Sequence, residues 1–137
     1  YTLTIPSTAV LDTVGNPMGN DYSLSFSTVQ PPDTTPPTVI STNPASGAVD
    51  VPVNTSITVS FSEPIQLGAN SSAITVKKGT KTVGYNLSVN GNNLVIQPTF
   101  SLSTRSTYTV SIPAGAVKDL NGNSLAAAYT FNFSTTK

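Results

Sequence analysis

Ile57-Thr58-Val59-Ser60-Phe61 places an apolar side chain at every second position, with polar side chains between them. A period of two is typical of a β-strand with one face in a core and the other in solvent. The side chains of Ile57, Val59 and Phe61 are therefore predicted to point inward. The segment indicates a protein built from half-buried strands.

The same alternation recurs elsewhere, at residues 74–76, 85–89, 108–112 and 129–133. Leu94-Val95-Ile96 is a continuous apolar run and predicts a more deeply buried strand. Asn90-Gly91 is a strong hairpin signal, because both residues tolerate positive φ. Seven short strands without a long helix predict an all-β, immunoglobulin-like Greek-key sandwich, with a helical turn expected only from Ala114 to Leu120.

Composition excludes several classes of function. Of 137 residues only 9% are charged, and six basic residues balance six acidic ones, so there is no net field for nucleic acid. Cysteine and histidine are absent, which removes thiolate nucleophiles, the commonest general base and the commonest zinc and copper ligands. No apolar run approaches the roughly 18 residues of a membrane helix. We predict a non-catalytic protein without a cofactor, nucleic-acid partner or membrane insertion.

An internal repeat is present without a gap, because residues 1–28 match residues 108–135. Tyr1-Thr2-Leu3-Thr4-Ile5-Pro6 corresponds to Tyr108-Thr109-Val110-Ser111-Ile112-Pro113. Later in the two copies, Asp12 corresponds to Asp119, and Phe26 to Phe133. Residues 1–28 are therefore predicted to be the last two strands of a preceding repeat.

A proline-rich stretch at residues 29–36 is predicted to be a semi-rigid linker, and residues 37–137 a complete domain. Two strands alone are at best marginally stable in water. We therefore expect residues 1–28 to pair with a sheet edge, or with a fragment of the preceding domain from another chain, as in strand exchange. The alternative is that the preceding domain has been cleaved or left out. Either way, Ile5 and Phe26 should be buried by a partner.

The segment from Pro37 to Asn54, followed by Ile57 to Ile65, resembles the opening of the bacterial Ig-like family first described in surface-layer proteins. The segments 108–112 and 117–123 resemble its usual close. The resemblance implies an immunoglobulin-like fold in tandem arrays on exported proteins, next to adhesion, surface-layer or polymer-degrading domains. It thereby implies an extracellular or cell-surface location, and neighbouring domains of the array as partners.

The best candidate site is the loop Asp119-Leu120-Asn121-Gly122-Asn123, which has oxygen-bearing side chains at alternate positions. Such spacing can present hard ligands to calcium. The first copy has Val14 at the position of Asn121, which removes one ligand. Two interpretations stay open: a calcium site at Asp119, Asn121 and Asn123, or a turn in which Asp119 accepts backbone N–H groups. The turn is favoured.

Glu63 is the only glutamate and ends a predicted strand, which makes it the candidate for an acid-base role. Acid-base hydrolysis of a glycosidic bond needs two carboxylates. Asp33, Asp50 and Asp119 fall in the linker or in separate loops and are not expected to pair with Glu63. No catalytic residue is predicted.

Tyr85 and Phe100 are the aromatic residues that could form an exposed sugar-binding face, although packing in the core is favoured for both. Lys77, Lys78 and Lys81 surround one hairpin and are predicted to protect a sheet edge from pairing. The first function hypothesis is a structural spacer in a tandem array. The alternative is a binding or adhesion module for a surface glycan or protein.

Overall fold

A computed structural model describes all residues, 1–137, and divides them into two units, Tyr1–Pro32 and Asp33–Lys137. The division falls inside the stretch 29–36. Asp33 lies with the second unit, where the side-chain amide of Asn123 donates to its backbone oxygen at 2.9 Å. One 3₁₀ turn, Ser71–Ala73, is the sole helical element, and it is far too short to span a bilayer.

The first unit is a two-stranded antiparallel hairpin of β1 (Thr2–Ile5) and β2 (Tyr22–Ser25). The loop between the strands is closed by a bridge between Leu11 and Pro17. Almost every side chain of this unit is exposed. The hairpin therefore has no core of its own.

The second unit contains eleven strands, counted from the element order. They are β3 (Val39–Asn43), β4 (Ala48–Val51), β5 (Ile57–Phe61), β6 (Ile65–Leu67), β7 (Thr75–Lys78), β8 (Lys81–Thr82), β9 (Tyr85–Asn90), β10 (Asn93–Pro98), β11 (Thr107–Ile112), β12 (Val117–Asp119) and β13 (Tyr129–Thr135). The strand segments located in the sequence correspond to β5, β7, β9, β10, β11 and β13, whereas β3 and the four shorter strands β4, β6, β8 and β12 lie outside them. The expected helical turn at 114–120 is wrong, because Val117–Asp119 pairs with β6 as β12.

Two sheets form the sandwich, with strand orders β3-β5-β10-β9 and β4-β13-β11-β7-β8. The first two strands of the domain lie in different sheets, β3 in one and β4 in the other. All pairs are antiparallel except β4 with β13. This arrangement is that of an immunoglobulin-like sandwich, so the predicted fold class is confirmed.

The core lies between the two sheets. Ile57, Val59 and Phe61 of β5 are fully buried, which confirms the predicted strand phase. Leu94 and Ile96 of β10 are also fully buried, but Val95 is only partly so. The continuous apolar run of β10 thus still obeys the period of two, because one face of its sheet is turned away from the core.

The hairpin of the first unit has the same internal geometry as β11 and β13 of the second. Leu3 is paired with Leu24, and at the equivalent positions Val110 is paired with Phe131. The three other residue pairs of β1 and β2 also keep their register at the offset of 107 residues (Tyr1 to Tyr108). The sequence repeat is therefore also a repeat of strand pairing.

Aromatic stacking repeats in the same way. The rings of Tyr1 and Phe26 stack with centroids 5.8 Å apart, and those of Tyr108 and Phe133 with centroids 5.7 Å apart. The second pair is buried, whereas the first is exposed. The same two aromatic positions thus have different surroundings in the two units.

Candidate functional site

The loop after β12 is organised around the carboxylate of Asp119, which is 1% exposed. One carboxylate oxygen accepts hydrogen bonds from the backbone N–H groups of Asn121 and Asn123, both at 2.8 Å. The other accepts one from the side-chain amide of Asn123 at 2.7 Å. Gly122 has a φ of 97°, which a residue with a side chain rarely adopts. Residues 119–123 thus form the turn described by the favoured interpretation of the sequence.

Two opposing effects set the pKa of Asp119. Burial alone would raise it, but the hydrogen bonds from Asn123 and Asn121 lower it below its ordinary value. The carboxylate is therefore ionised at neutral pH and held by its own loop.

The first unit contains the same loop without Asn121. Asp12 accepts hydrogen bonds from the backbone N–H groups of Val14 and Asn16, both at 2.9 Å, and from the side-chain amide of Asn16, also at 2.9 Å. The pKa of Asp12 is likewise lowered, chiefly by the side chain of Asn16. Because Val14 has no side-chain oxygen, this loop geometry does not depend on a third ligand.

Three carboxylates meet beside the Asp119 loop. The side-chain oxygens of Asp33, Glu63 and Asp119 lie within 4.8 Å of one another. Burial, followed by the negative charges of Asp119 and Asp33, raises the pKa of Glu63. The expectation that no other acid would lie beside Glu63 is wrong.

Long-range pairing explains this convergence. Asp119 of β12 is paired with Ile65 of β6, two residues after Glu63. Asp33 is held from the other side, where the side-chain amides of Asn121 and Asn123 donate to it at 3.3 and 2.9 Å. The sequence indicated a site only at Asp119. Glu63 and Asp33 could not be predicted to join it, because the β6–β12 pairing and the hydrogen bonds to Asp33 both link residues far apart in the chain.

The cluster brings together the residues predicted to hold calcium, but with different roles. Asn121 and Asn123 present their amide nitrogens to Asp33 and Asp119, so in this arrangement they act as donors to carboxylates. Oxygen ligands for a hard cation would come instead from Asp33, Glu63 and Asp119. The calcium site stays a prediction.

Hydrolytic chemistry is poorly served by the same carboxylates. A glycosidase uses an acid of raised pKa beside an ionised carboxylate, and Glu63 and Asp119 have those pKa directions. Both oxygens of Asp119, however, are occupied by its own loop, and the side chain is buried. It therefore cannot reach a substrate without breaking that loop.

The two candidate sugar-binding aromatics differ in exposure. Tyr85 is partly buried and its hydroxyl donates to the backbone oxygen of Ile74. Phe100 is 82% exposed, and it is the single exposed aromatic ring of the second unit. The two rings therefore do not form an exposed platform.

The lysine hairpin lies where the sequence predicts. Lys78 and Lys81 are paired across β7 and β8, and β8 is the outermost strand of its sheet. Lys77, Lys78 and Lys81 are all exposed. A two-residue edge strand that carries Lys81, next to a strand that ends on Lys77 and Lys78, is a poor template for pairing with another chain.

Comparison with known proteins gives a match of fold and family. The family model for the bacterial Ig-like domain matches residues 33–135. A similar solved structure is the N-terminal part of the bacterial S-layer protein SbsC, at 21% identity and a TM-score of 0.51, covering 74% of this chain and 24% of that one. Another is the S-layer protein rSbsC(31-844), at 21% identity and a TM-score of 0.50, covering 74% of this chain and 14% of that one.

The present chain thus spans about a quarter or less of the length of either solved relative. At 21% identity, these likenesses are evidence of fold alone. No curated protein matches the chain. Because the family match covers most of the sequence and agrees with the sandwich described above, the chain belongs to the bacterial Ig-like domain family.

Proposed function

We propose that the chain is a non-catalytic structural module, a spacer in a tandem array of Ig-like domains on an extracellular or cell-surface protein. The observation that carries the proposal is the repeated hairpin, which has the same register and the same aromatic stacking in both units. A proline-rich stretch lies between the two copies. The family membership and the S-layer relatives support a cell-surface setting.

The chemistry of the surface supports a passive role. The most buried carboxylate is used by its own loop, and the edge strand β8 and its neighbour β7 carry exposed lysines that oppose pairing. Residues 29–32, which precede the second unit, include Pro31 and Pro32, and a four-residue segment of this kind spans up to about 12 Å when extended. Stiff sandwiches on such linkers hold neighbouring domains apart.

Small-angle X-ray scattering from concatenated repeats tests the spacer role. One, two and three copies of residues 30–136, which is one full period of the repeat, should give a maximum dimension that grows by a constant increment per copy. Pro31→Gly with Pro32→Gly should reduce the increment and leave the melting temperature unchanged, because both prolines are exposed. Dimensions that grow only as those of a compact particle would contradict the proposal.

A binding or adhesion module is the second candidate, and the exposed ring of Phe100 is the observation that favours it. The ring borders a surface depression of about 220 Å³ that also includes Val53 and Pro98. A glycan array probed with the chain and with Phe100→Ala tests this candidate. Binding that Phe100→Ala abolishes would support it, and the absence of any signal would remove a glycan-binding role.

A further inference from the structure

The hairpin of the first unit carries an apolar face without a partner. We define the hairpin face as Tyr1, Leu3, Ile5, Leu24 and Phe26, which match inward positions of β11 and β13. Leu3, Leu24 and Phe26 are 52%, 48% and 52% exposed. Their equivalents Val110, Phe131 and Phe133 are 0%, 3% and 1% exposed.

The second unit shows what covers such a face. There, Val110, Phe131 and Phe133 belong to one core cluster with Ile57 and Leu94, which lie in the facing sheet of β3, β5, β10 and β9. All the strands of that facing sheet come from residues 39–98. A hairpin of this sequence is thus built to pack against that segment of an Ig-like repeat.

The edges of the hairpin lack partners as well. In the second unit, β11 is flanked by β7 and β13 is flanked by β4. In the first unit, β1 and β2 form a two-stranded sheet with neither outer neighbour. The strands that would supply both neighbours lie in the same segment of a repeat as the facing sheet. A single segment of a repeat would therefore cover the hairpin face and pair with both edges of the hairpin.

We infer that the hairpin face is the completion site for residues equivalent to 37–107 of an Ig-like repeat, located directly before Tyr1 in the same polypeptide. This inference rests on the proposed tandem array. A source in the same polypeptide follows from chain order, because residues 37–107 directly precede Tyr108, the equivalent of Tyr1. Apolar burial in the completed sandwich then stabilises a hairpin that alone is marginal.

The side chains of the face suit such a partner. Leu3 is larger than its equivalent Val110, whereas Leu24 is smaller than its equivalent Phe131. Because Leu3 and Leu24 are paired across the strands, one change offsets the other within a single layer of the core. Tyr1 and Phe26 are the same residue types as their equivalents Tyr108 and Phe133, and the two pairs of rings stack in the same way.

Hydrogen exchange on a lengthened chain tests the inference. Residues 37–107 are placed directly before Tyr1 of the full 137-residue chain, and the unlengthened chain is the reference. The amides of β1 and β2 should exchange at least about a hundredfold more slowly in the lengthened chain, approaching those of β11 and β13. The lengthened chain should elute as a monomer.

Two single variants of the lengthened chain provide a matched pair. Phe26→Ala should remove the protection of residues 1–28 and leave β11 and β13 protected. Thr2→Ala alters the opposite face of β1 and should retain the protection. Equal exchange in the two variants would contradict packing on the hairpin face.

A second lengthened chain, in which the hairpin carries the residue pair of the second unit, distinguishes a poorly packed extension from a wrong inference. Leu3→Val with Leu24→Phe makes this layer identical to that of Val110 and Phe131, and this variant should be protected even where the first packs poorly. The inference is overturned if neither lengthened chain slows the exchange of β1 and β2. Protection of β1 and β2 already in the unlengthened chain, or only in a dimer, would also overturn it, and the dimer would indicate strand exchange. None of these outcomes changes the scattering increments that test the spacer role.

Discussion

The hydroxyl of Tyr108 accepts a hydrogen bond from the backbone N–H of Ser103, five residues earlier, at 2.8 Å. Tyr108 is 2% exposed and begins the inward row of β11. A tyrosine at the start of this strand, bonded back to the preceding connection, is a recurrent feature of immunoglobulin-like sandwiches. The bond fixes the crossover between the two sheets.

Removing this hydroxyl should destabilise the domain without disturbing its packing. Tyr108→Phe leaves the N–H of Ser103 without its acceptor and should lower the free energy of unfolding by about 1–3 kcal/mol. Urea unfolding measures the difference. Tyr1→Phe alters the equivalent residue of the first unit, where the side chain is exposed, and should have no effect. An unchanged midpoint for Tyr108→Phe would show that water replaces the bond.

Truncating a core ring should have the largest effect of any single change. Phe61 is fully buried between the sheets, so Phe61→Ala should cost about 3–5 kcal/mol of unfolding free energy. Phe133→Ala, at the buried stack with Tyr108, should cost a similar amount. Phe100→Ala is the matched control on an exposed ring and should stay within about 0.5 kcal/mol. A near-neutral Phe61→Ala would contradict the core assignment.

The raised pKa of Glu63 predicts the direction in which the free energy of unfolding changes with pH. Its pKa is raised in the folded state, so folding favours the protonated form, and stability falls as pH rises from the ordinary value of 4.5 through the raised value. Asp119 acts in the opposite sense: its pKa is lowered, so its contribution is present above the ordinary value of 3.8 and lost as pH falls below it.

Glu63→Gln should therefore be more stable than the parent above that window and gain nothing below it. Melting temperatures measured across the acidic range give the difference curve. Asp50→Asn removes one negative charge outside the cluster and serves as the control. A gain for Glu63→Gln that is the same at every pH would show that the effect comes from packing and not from the charges of Asp33 and Asp119.

Calcium binding at Asp119 makes a separate prediction. A cation held by Asp33, Glu63 and Asp119 would relieve their mutual repulsion and raise the melting temperature by mass action. Melting in chelator and in millimolar calcium gives the comparison, and Glu63→Gln should reduce any calcium-dependent rise. Identical melting curves in the two solutions would show that these carboxylates do not bind calcium.

The strands of the sandwich could be predicted because their signal is local. Ile57, Val59 and Phe61 fall on one face by period alone, and the repeat at residues 1–28 located the hairpin without any structure. Short strands such as β6 and β12 could not be predicted, because three residues carry too little periodicity. The turn at Asp119 was visible because its partners Asn121 and Asn123 are near in sequence.

The cluster of Asp33, Glu63 and Asp119 could not be predicted from the sequence for a different reason. Glu63 and Asp119 are brought together by the pairing of β6 with β12, and Asp33 by amides almost ninety residues away in the chain. Nothing in the residue types of these three positions indicates that contact. The bond from Ser103 to Tyr108 is short in sequence, but a tyrosine on an inward position is equally typical of simple core packing.

The junction between β6 and β12 provides the last prediction. A Cβ on Gly68 would overlap the backbone oxygen of Gly115. The two backbone segments approach closely here, because the N–H of Gly68 donates to the backbone oxygen of Ala116 at 2.9 Å. Neither backbone can move freely, since the N–H of Asn70 also donates to Gly115 at 3.1 Å. Gly68→Ala should therefore cost roughly 1–3 kcal/mol of unfolding free energy.

Gly84→Ala is the matched control, because a Cβ there would meet Thr99 only at an ordinary contact distance of 3.5 Å. This change should be neutral, or stabilising by up to about 1 kcal/mol, through the reduced freedom of the unfolded chain. Hydrogen exchange adds a local readout: Gly68→Ala should accelerate exchange in β6 and β12 before it affects β5 or β10. Equal stability of the two variants would mean that the two backbone segments can move apart at this junction without loss of stability. The pairing of β6 with β12 would then not hold the cluster of Asp33, Glu63 and Asp119 rigidly.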